Sequence, residues 1–179
     1  DPRRDHGFHL PRPDLSVSLG TPNACNGCHT AQSPEWARGK VIEWFGEVRP
    51  QDIHGTVAFA AERANAPEAE KRLAEVFSNP QTPVILRATA LQRLAARRAA
   101  GRRTLIEAGL ADDDALLRRT AAAATESLPP EERTILLEAH LGDPSRGVRT
   151  EAARILAGVS PERLRESVDP ANRTFLDAH

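Results

Sequence analysis

Five consecutive residues, Cys25-Asn26-Gly27-Cys28-His29, contain both cysteines of the chain, followed directly by a histidine. A Cys-x-x-Cys-His segment is typical of covalent attachment of a c-type haem. Each thiol can add to one vinyl group of the porphyrin, and the adjacent imidazole then binds the iron from the same short turn. Because the chain has no other cysteine, the spacing is a specific signal. The sequence therefore predicts haem c at Cys25, Cys28 and His29, with His29 as the proximal iron ligand.

Three other kinds of site use the same two thiols. A redox-active dithiol is expected between a strand and a helix, and the sequence contains no convincing strand. A structural zinc site takes four ligands, usually as two pairs, and a second cysteine pair is missing. A disulfide between Cys25 and Cys28 would close a small, strained loop. These alternatives stay open, and haem attachment is the interpretation that the spacing favours most.

The second axial ligand of the iron must come from another histidine if it lies in this chain. Methionine is absent, which excludes the His/Met ligation of small soluble cytochromes. We interpret His140, in a repeated helix, and the terminal His179 as surface histidines. The remaining candidates are close to the motif in sequence: His6, His9 and His54.

The composition favours an all-α protein, because alanine, leucine and arginine are abundant and aromatic residues make up only 4%. A net charge of −1 argues against nucleic acid or an anionic membrane as partner. No apolar run approaches the roughly 20 residues needed to span a bilayer. The polar start at Asp1 shows no signal peptide. Because c-type haem is attached outside the cytoplasm, we expect a periplasmic or extracellular protein, here as a mature form or an internal piece.

Residues 1–50 form the predicted haem-binding segment. Residues 1–32 contain proline, glycine, asparagine and aspartate throughout, which predicts irregular structure. A helix is predicted to begin at Ser33-Pro34-Glu35 and to end at Gly46. Its apolar face either covers a haem edge or packs as an ordinary helix; this face comprises Ala37, Val41, Trp44 and Phe45.

Residues 51–179 are predicted to be repeated helical hairpins. The pentapeptide at Leu86–Ala90 recurs twice, each time after 31 residues, at Leu117–Ala121 and Val148–Ala152. A helix–turn–helix repeat of this length indicates an α-solenoid, and it resembles the short HEAT repeats. We predict that the recurring arginines form a structural ladder with aspartates of the turns; the residues are Arg87, Arg118 and Arg149, with Asp112 and Asp143.

Most of the chain resembles a family of multihaem c-type cytochromes, in which HEAT-like and then tetratricopeptide repeats follow the cytochrome segment. The resemblance is carried by Arg3–His6, Pro11–Ser16, Leu19–Cys25, the helix at Ser33–Gly46, His54 and Leu86–Leu91. It favours His6 as the second iron ligand, then His54, over His9. Family members usually have further Cys-x-x-Cys-His motifs upstream, so the resemblance implies a middle portion of a longer polypeptide.

These features together predict an electron-transfer protein with one bis-histidine haem c on a helical-repeat scaffold, and not an enzyme. Its expected partners are redox proteins or other haem-carrying chains, including copies of itself in an assembly. Two alternatives remain. One is a haem enzyme or gas sensor with an open iron, in which His6 or His9 acts as a distal acid–base group. The other is a protein-binding repeat scaffold with a structural haem.

Overall fold

The fold was analysed in a computed structural model, which describes residues 11–47 and 55–158. Helices account for all the regular structure in these residues, which confirms the predicted all-α class. The chain divides into two compact units, Asp1–Ile53 and His54–His179. The α-helices are Pro13–Leu19 (α1), Ala24–Cys28 (α2), Pro34–Phe45 (α3), Gly55–Arg63 (α4), Ala69–Ser78 (α5), Val84–Ala96 (α6), Arg102–Leu110 (α7), Ala115–Ala124 (α8), Pro130–Leu137 (α9) and Arg146–Ala157 (α10).

Two short helices in the first unit correct the prediction that residues 1–32 are irregular. Helix α1 begins with Pro13, whose fixed φ suits a first turn, and ends at Gly20, whose φ is 68°. Helix α2 is capped by Asn23, whose side chain accepts a hydrogen bond from the backbone N–H of Asn26. Local caps therefore support these helices, which are too short to show a helical apolar period.

Helix α3 follows the prediction at both ends. The hydroxyl of Ser33 accepts a hydrogen bond from the backbone N–H of Trp36 at 3.3 Å, Pro34 occupies the first turn, and Gly46 ends the helix with a φ of 80°. Helix α3 packs against α1. The buried residues of this unit within 11–47 are few: Pro13, Leu15, Ser16 and Ala37.

Within residues 55–158, the second unit consists of successive helical hairpins with a shared apolar core. Helix α6 packs against both α5 and α8, and α8 packs against α10. The turns between the paired helices contain the dipeptides Asn79-Pro80, Asp112-Asp113 and Asp143-Pro144. Leucines and an isoleucine that are at most 1% exposed fill the interior: Leu73, Leu91, Leu94, Ile106, Leu117, Leu137 and Leu156. In the described ranges, no helix combines the length and apolar character required to cross a bilayer.

The predicted ladder of arginines and aspartates is confirmed at two steps. Arg87 Nη2 lies 2.8 Å from Asp112 Oδ2. Arg118 donates from Nε and Nη2 to the two carboxylate oxygens of Asp143, at 2.8 and 3.1 Å. The hydrogen bond from Arg118 is the main reason why the pKa of Asp143 lies below its usual value, although burial opposes this shift. Each bond joins the second helix of one hairpin to the turn of the next.

Candidate functional site

The two cysteines and the histidine of the motif lie on one short turn of backbone. Cys25 and Cys28 are three residues apart within α2, so their side chains share a face of that helix. His29 follows as the C-terminal cap, and its backbone N–H donates to the Cys25 carbonyl at 2.9 Å. Both cysteines are free thiols, Cys25 half-buried and Cys28 exposed. The sulfur atoms and the imidazole are therefore presented together from one segment.

A hydrogen-bond network of two asparagines holds this turn in place. Asn23 Nδ2 donates to Ser16 Oγ and to Asn26 Oδ1, both at 2.8 Å. Asn26 Nδ2 donates to the Gln32 carbonyl at 2.7 Å, and Gln32 N–H donates to the His29 carbonyl at 3.0 Å. These bonds tie α2 to α1 and to the segment after His29 without using either thiol or the imidazole. The three reactive groups stay available for a ligand.

This network was not among the features predicted from the sequence. An asparagine directly before a short helix is a recognised N-cap signal, so the capping role of Asn23 was accessible from the sequence. The bonds from Asn23 to Ser16 and from Asn26 to Gln32 join residues seven and six positions apart. Such contacts depend on how α1, α2 and the following loop fold together.

The motif borders a cleft of about 290 Å³ between α2 and α3. The imidazole of His29 lies against the indole of Trp36, with ring centroids 4.9 Å apart and planes inclined by 52°. The rest of the wall is largely apolar. Lys40 also lines it, and the ammonium group of Lys40 pairs with Glu43 at 2.7 Å. The lining residues are Ala24, Cys25, Cys28, His29, Trp36, Ala37, Lys40, Val41 and Trp44.

The predicted apolar face of α3 contributes most of its members to this cleft. Ala37, Val41 and Trp44 line it, whereas Phe45 is 73% exposed and does not. Trp44 is 65% exposed and meets Phe45 edge to face, with ring centroids 6.4 Å apart. The prediction omitted Trp36, although this residue contacts the histidine of the motif.

The residues of the cleft fit a haem in donor chemistry and in polarity. Two free thiols and an imidazole lie at one side, which are the groups that c-type attachment and iron ligation require. An apolar, aromatic wall from α3 faces the same space. Within residues 11–47 the first unit buries only a few side chains, and a small unit with a small core commonly relies on a further stabilising group.

The candidates for the second iron ligand, His6, His54 and His9, lie outside the described residues, as does His179. His140 is described, and the interpretation of it as a surface histidine needs correction. Its ring is half-buried, with Nδ1 3.1 Å from the Leu136 carbonyl and Nε2 3.2 Å from the Leu110 carbonyl. The Leu110 contact links the last turn of α7 to the hairpin of α9, so His140 has a structural role in the second unit.

The structure also bears on the two alternative uses of Cys25 and Cys28, as zinc ligands or as a redox-active dithiol. Residues 11–47 and 55–158 contain no grouping of three or more histidine, cysteine, aspartate or glutamate side chains suited to a metal ion. Nor does a strand occur in this part of the chain, whereas a redox dithiol of the thioredoxin type is expected next to a strand.

Comparisons of the chain with protein-family models, with curated proteins and with solved structures found no match.

Proposed function

We propose that this protein transfers electrons through one haem c, held covalently by Cys25 and Cys28 and ligated by His29. The observation that supports this most strongly is the shared cleft. Two free thiols in one helical turn, the imidazole that follows them and an aromatic wall all border the same space. The bound haem would supply one-electron redox chemistry, while the protein supplies position, burial and ligands.

Each residue of the site has a distinct role in this proposal. Cys25 and Cys28 would hold the macrocycle through thioether bonds to α2. His29 provides an imidazole to the iron, and the ring of Trp36 limits the rotation of that imidazole. Trp44 lines the cleft and would contact the apolar surface of a bound haem. Lower solvent exposure and the nature of the axial ligands are the main protein contributions to a haem potential.

A second imidazole completes the iron coordination in this proposal, with His6 preferred and His54 next. Two imidazoles without a methionine give a lower reduction potential than His/Met ligation. A low-potential carrier of this kind needs a close redox partner, either another protein or another haem-carrying chain. The exposed Trp44 and Phe45 beside the cleft suit such contacts, because aromatic side chains are enriched at protein interfaces.

The hairpins of the second unit act as a scaffold or docking surface in this proposal, as repeated helical hairpins do generally. Arg87 and Arg118 bind turn aspartates and backbone carbonyls, so these arginines have a structural role.

We place the protein in the periplasm or outside the cell, where c-type haem is attached.

The proposal is tested by visible spectra of the oxidised and the dithionite-reduced protein, produced in a host that attaches c-type haem, with and without carbon monoxide. We expect sharp low-spin spectra that carbon monoxide does not change. His6→Ala should then create a carbon monoxide-binding iron, while the matched variant His9→Ala should not. A high-spin wild-type spectrum that changes with carbon monoxide would contradict electron transfer and would favour a haem enzyme or a gas sensor. A protein without haem would overturn the proposal.

A further inference from the structure

A single lysine interrupts the aromatic wall that α3 contributes to the cleft. Lys40 comes four residues after Trp36 and four before Trp44, and all three line the cleft. Residues four positions apart are neighbours on one face of a helix, so the lysine lies between the two tryptophans along that face. Among the described residues that line the cleft, Lys40 is the only one of the lysine, arginine, aspartate or glutamate type. The wall therefore combines aromatic surface with one cation.

The carboxylate that pairs with Lys40 holds it only weakly. Lys40 Nζ lies 2.7 Å from Glu43 Oε2, and the two side chains are 39% and 58% exposed. Exposed ion pairs of this kind contribute little to stability. Glu43 is not one of the residues that line the cleft. The ammonium group can therefore exchange this carboxylate for another one at little cost.

A haem would bring both apolar and anionic surface to this cleft. The porphyrin ring is largely apolar, whereas its two propionate groups end in carboxylates. A carboxylate that leaves water is stabilised only when a cation or hydrogen-bond donors replace its hydration. Lysine suits this place because its apolar stem can lie along an apolar wall while its ammonium group donates up to three hydrogen bonds.

We propose that Lys40 binds a propionate carboxylate of the haem in place of Glu43 and thereby raises the reduction potential of the iron. This inference rests on the proposed haem c of the cleft. Reduction adds one electron to ferric iron, so the ferrous haem has one positive charge less. A cation next to the macrocycle therefore disfavours the ferric state more than the ferrous state.

The test measures the midpoint potential of the full haem-loaded chain by spectroelectrochemical titration. Lys40→Gln should lower the potential, and Lys40→Arg, which keeps the charge, should have a potential near that of the wild type. Arg38→Gln is the matched control, since it removes one cation from an exposed position of α3 that does not line the cleft. Its effect should be smaller and should disappear at high salt, because salt screens exposed charges most strongly.

Chemical acetylation identifies the partner of the ammonium group. Lys40 and Lys71 are the only lysines of the chain, and Lys71, which is exposed in the second unit, is the internal reference. In the haem-loaded wild type, Lys40 should react with acetic anhydride more slowly than Lys71, and Glu43→Gln should leave this protection unchanged. Loss of the protection in Glu43→Gln would show that Glu43 remains the partner and would overturn the proposed exchange.

Covalent haem, measured on the same samples by intact mass, separates failure of this inference from failure of the proposed function. Equal potential shifts in Lys40→Gln and Arg38→Gln, with haem attached to both, would overturn the role of Lys40 and leave the proposed haem site standing. A wild-type chain without haem would overturn the proposed function, and this inference with it.

Discussion

The imidazole of His29 rests against the indole of Trp36, with ring centroids 4.9 Å apart. His29 ends the turn that carries both thiols, whereas Trp36 belongs to α3. The contact therefore joins the two elements that form the cleft at the residue expected to bind iron. It gives the proposed haem site a ligand whose orientation is limited before any cofactor is bound.

Replacing Trp36 should weaken the hold on this imidazole. Aromatic pairs contribute about 0.5–1.5 kcal/mol beyond the burial of their surface, so Trp36→Ala should lower the urea midpoint at which the low-spin haem spectrum is lost. Trp36→Phe keeps an aromatic ring and should recover part of the loss. Arg38→Ala, at an exposed position of the same helix, is the control. Equal midpoints for Trp36→Ala and Arg38→Ala would show that the contact has no such role.

Alanine substitution of Asn26 and of Gly27, the two residues between the cysteines, should have different effects on haem attachment. Asn26 joins Asn23 and the Gln32 carbonyl by hydrogen bonds of 2.8 and 2.7 Å, each with a net value of about 0.5–1.5 kcal/mol. A Cβ added to Gly27 would meet no atom within 4 Å. Asn26→Ala should therefore reduce the haem bound per chain, measured as the pyridine haemochrome, while Gly27→Ala should not. The reverse order of yields would contradict a preformed turn.

The pair of Arg118 and Asp143 should make the stability of the second unit sensitive to acid. The pKa of Asp143 is lowered in the folded protein by its bond from Arg118, compared with about 3.9 when unfolded. Its carboxylate therefore stabilises the fold above that unfolded pKa, and this contribution is lost as the pH falls through the folded pKa.

Asp143→Asn measures this contribution directly. At pH 7 the substitution should lower the free energy of unfolding by about 1.5–3 kcal/mol, the range for hydrogen bonds to charged groups. The difference from wild type should shrink as the pH falls below about 4. Asp113→Asn, at an exposed carboxylate of the neighbouring turn, should have little effect at either pH. A difference that is independent of pH would exclude the ion pair as its source.

Gly109 should resist substitution because two helices approach it closely. A Cβ at this position would lie 2.8 Å from Leu91 Cδ2 and 2.9 Å from Ala121 Cβ. Overpacking of this kind costs about 1–3 kcal/mol and should outweigh the gain of about 1 kcal/mol in helix propensity. Gly147→Ala meets Arg119 Cδ at an ordinary 3.6 Å and should be tolerated. Urea unfolding followed by circular dichroism compares the two, and greater stability of Gly109→Ala would contradict the packing.

Local signals and the repeat were sufficient to predict much of the fold. Ser33 and Gly46 cap α3 by hydrogen bonds to backbone groups three or four residues away. Such local caps can be predicted from the sequence alone. The ladder of Arg87 and Arg118 was predictable because a 31-residue repeat carries each arginine and aspartate to an equivalent place. Repetition supplied the tertiary information that a single hairpin lacks.

The features that were not predicted depend on contacts between different helices and loops, and no periodic pattern in the sequence indicates such contacts. Helices α1 and α2 have seven and five residues, which is too short for an apolar stripe. The stacking of Trp36 on His29 and the bonds of Asn26 require α2 and α3 to be folded together. His140 occupies the repeat position of Gly109, and only the structure reveals that its ring bridges two carbonyls.

Covalent attachment of haem at Cys25 and Cys28 is the central claim, and intact-protein mass spectrometry tests it most directly. The chain should be produced in a host that exports it and attaches c-type haem, and then denatured before measurement so that only covalent groups remain. We predict a mass increased by one haem in the wild type, with peptide mapping to residues 25–28, and no attached haem in Cys25→Ser/Cys28→Ser. A wild-type chain of unmodified mass with two reactive thiols would contradict the account.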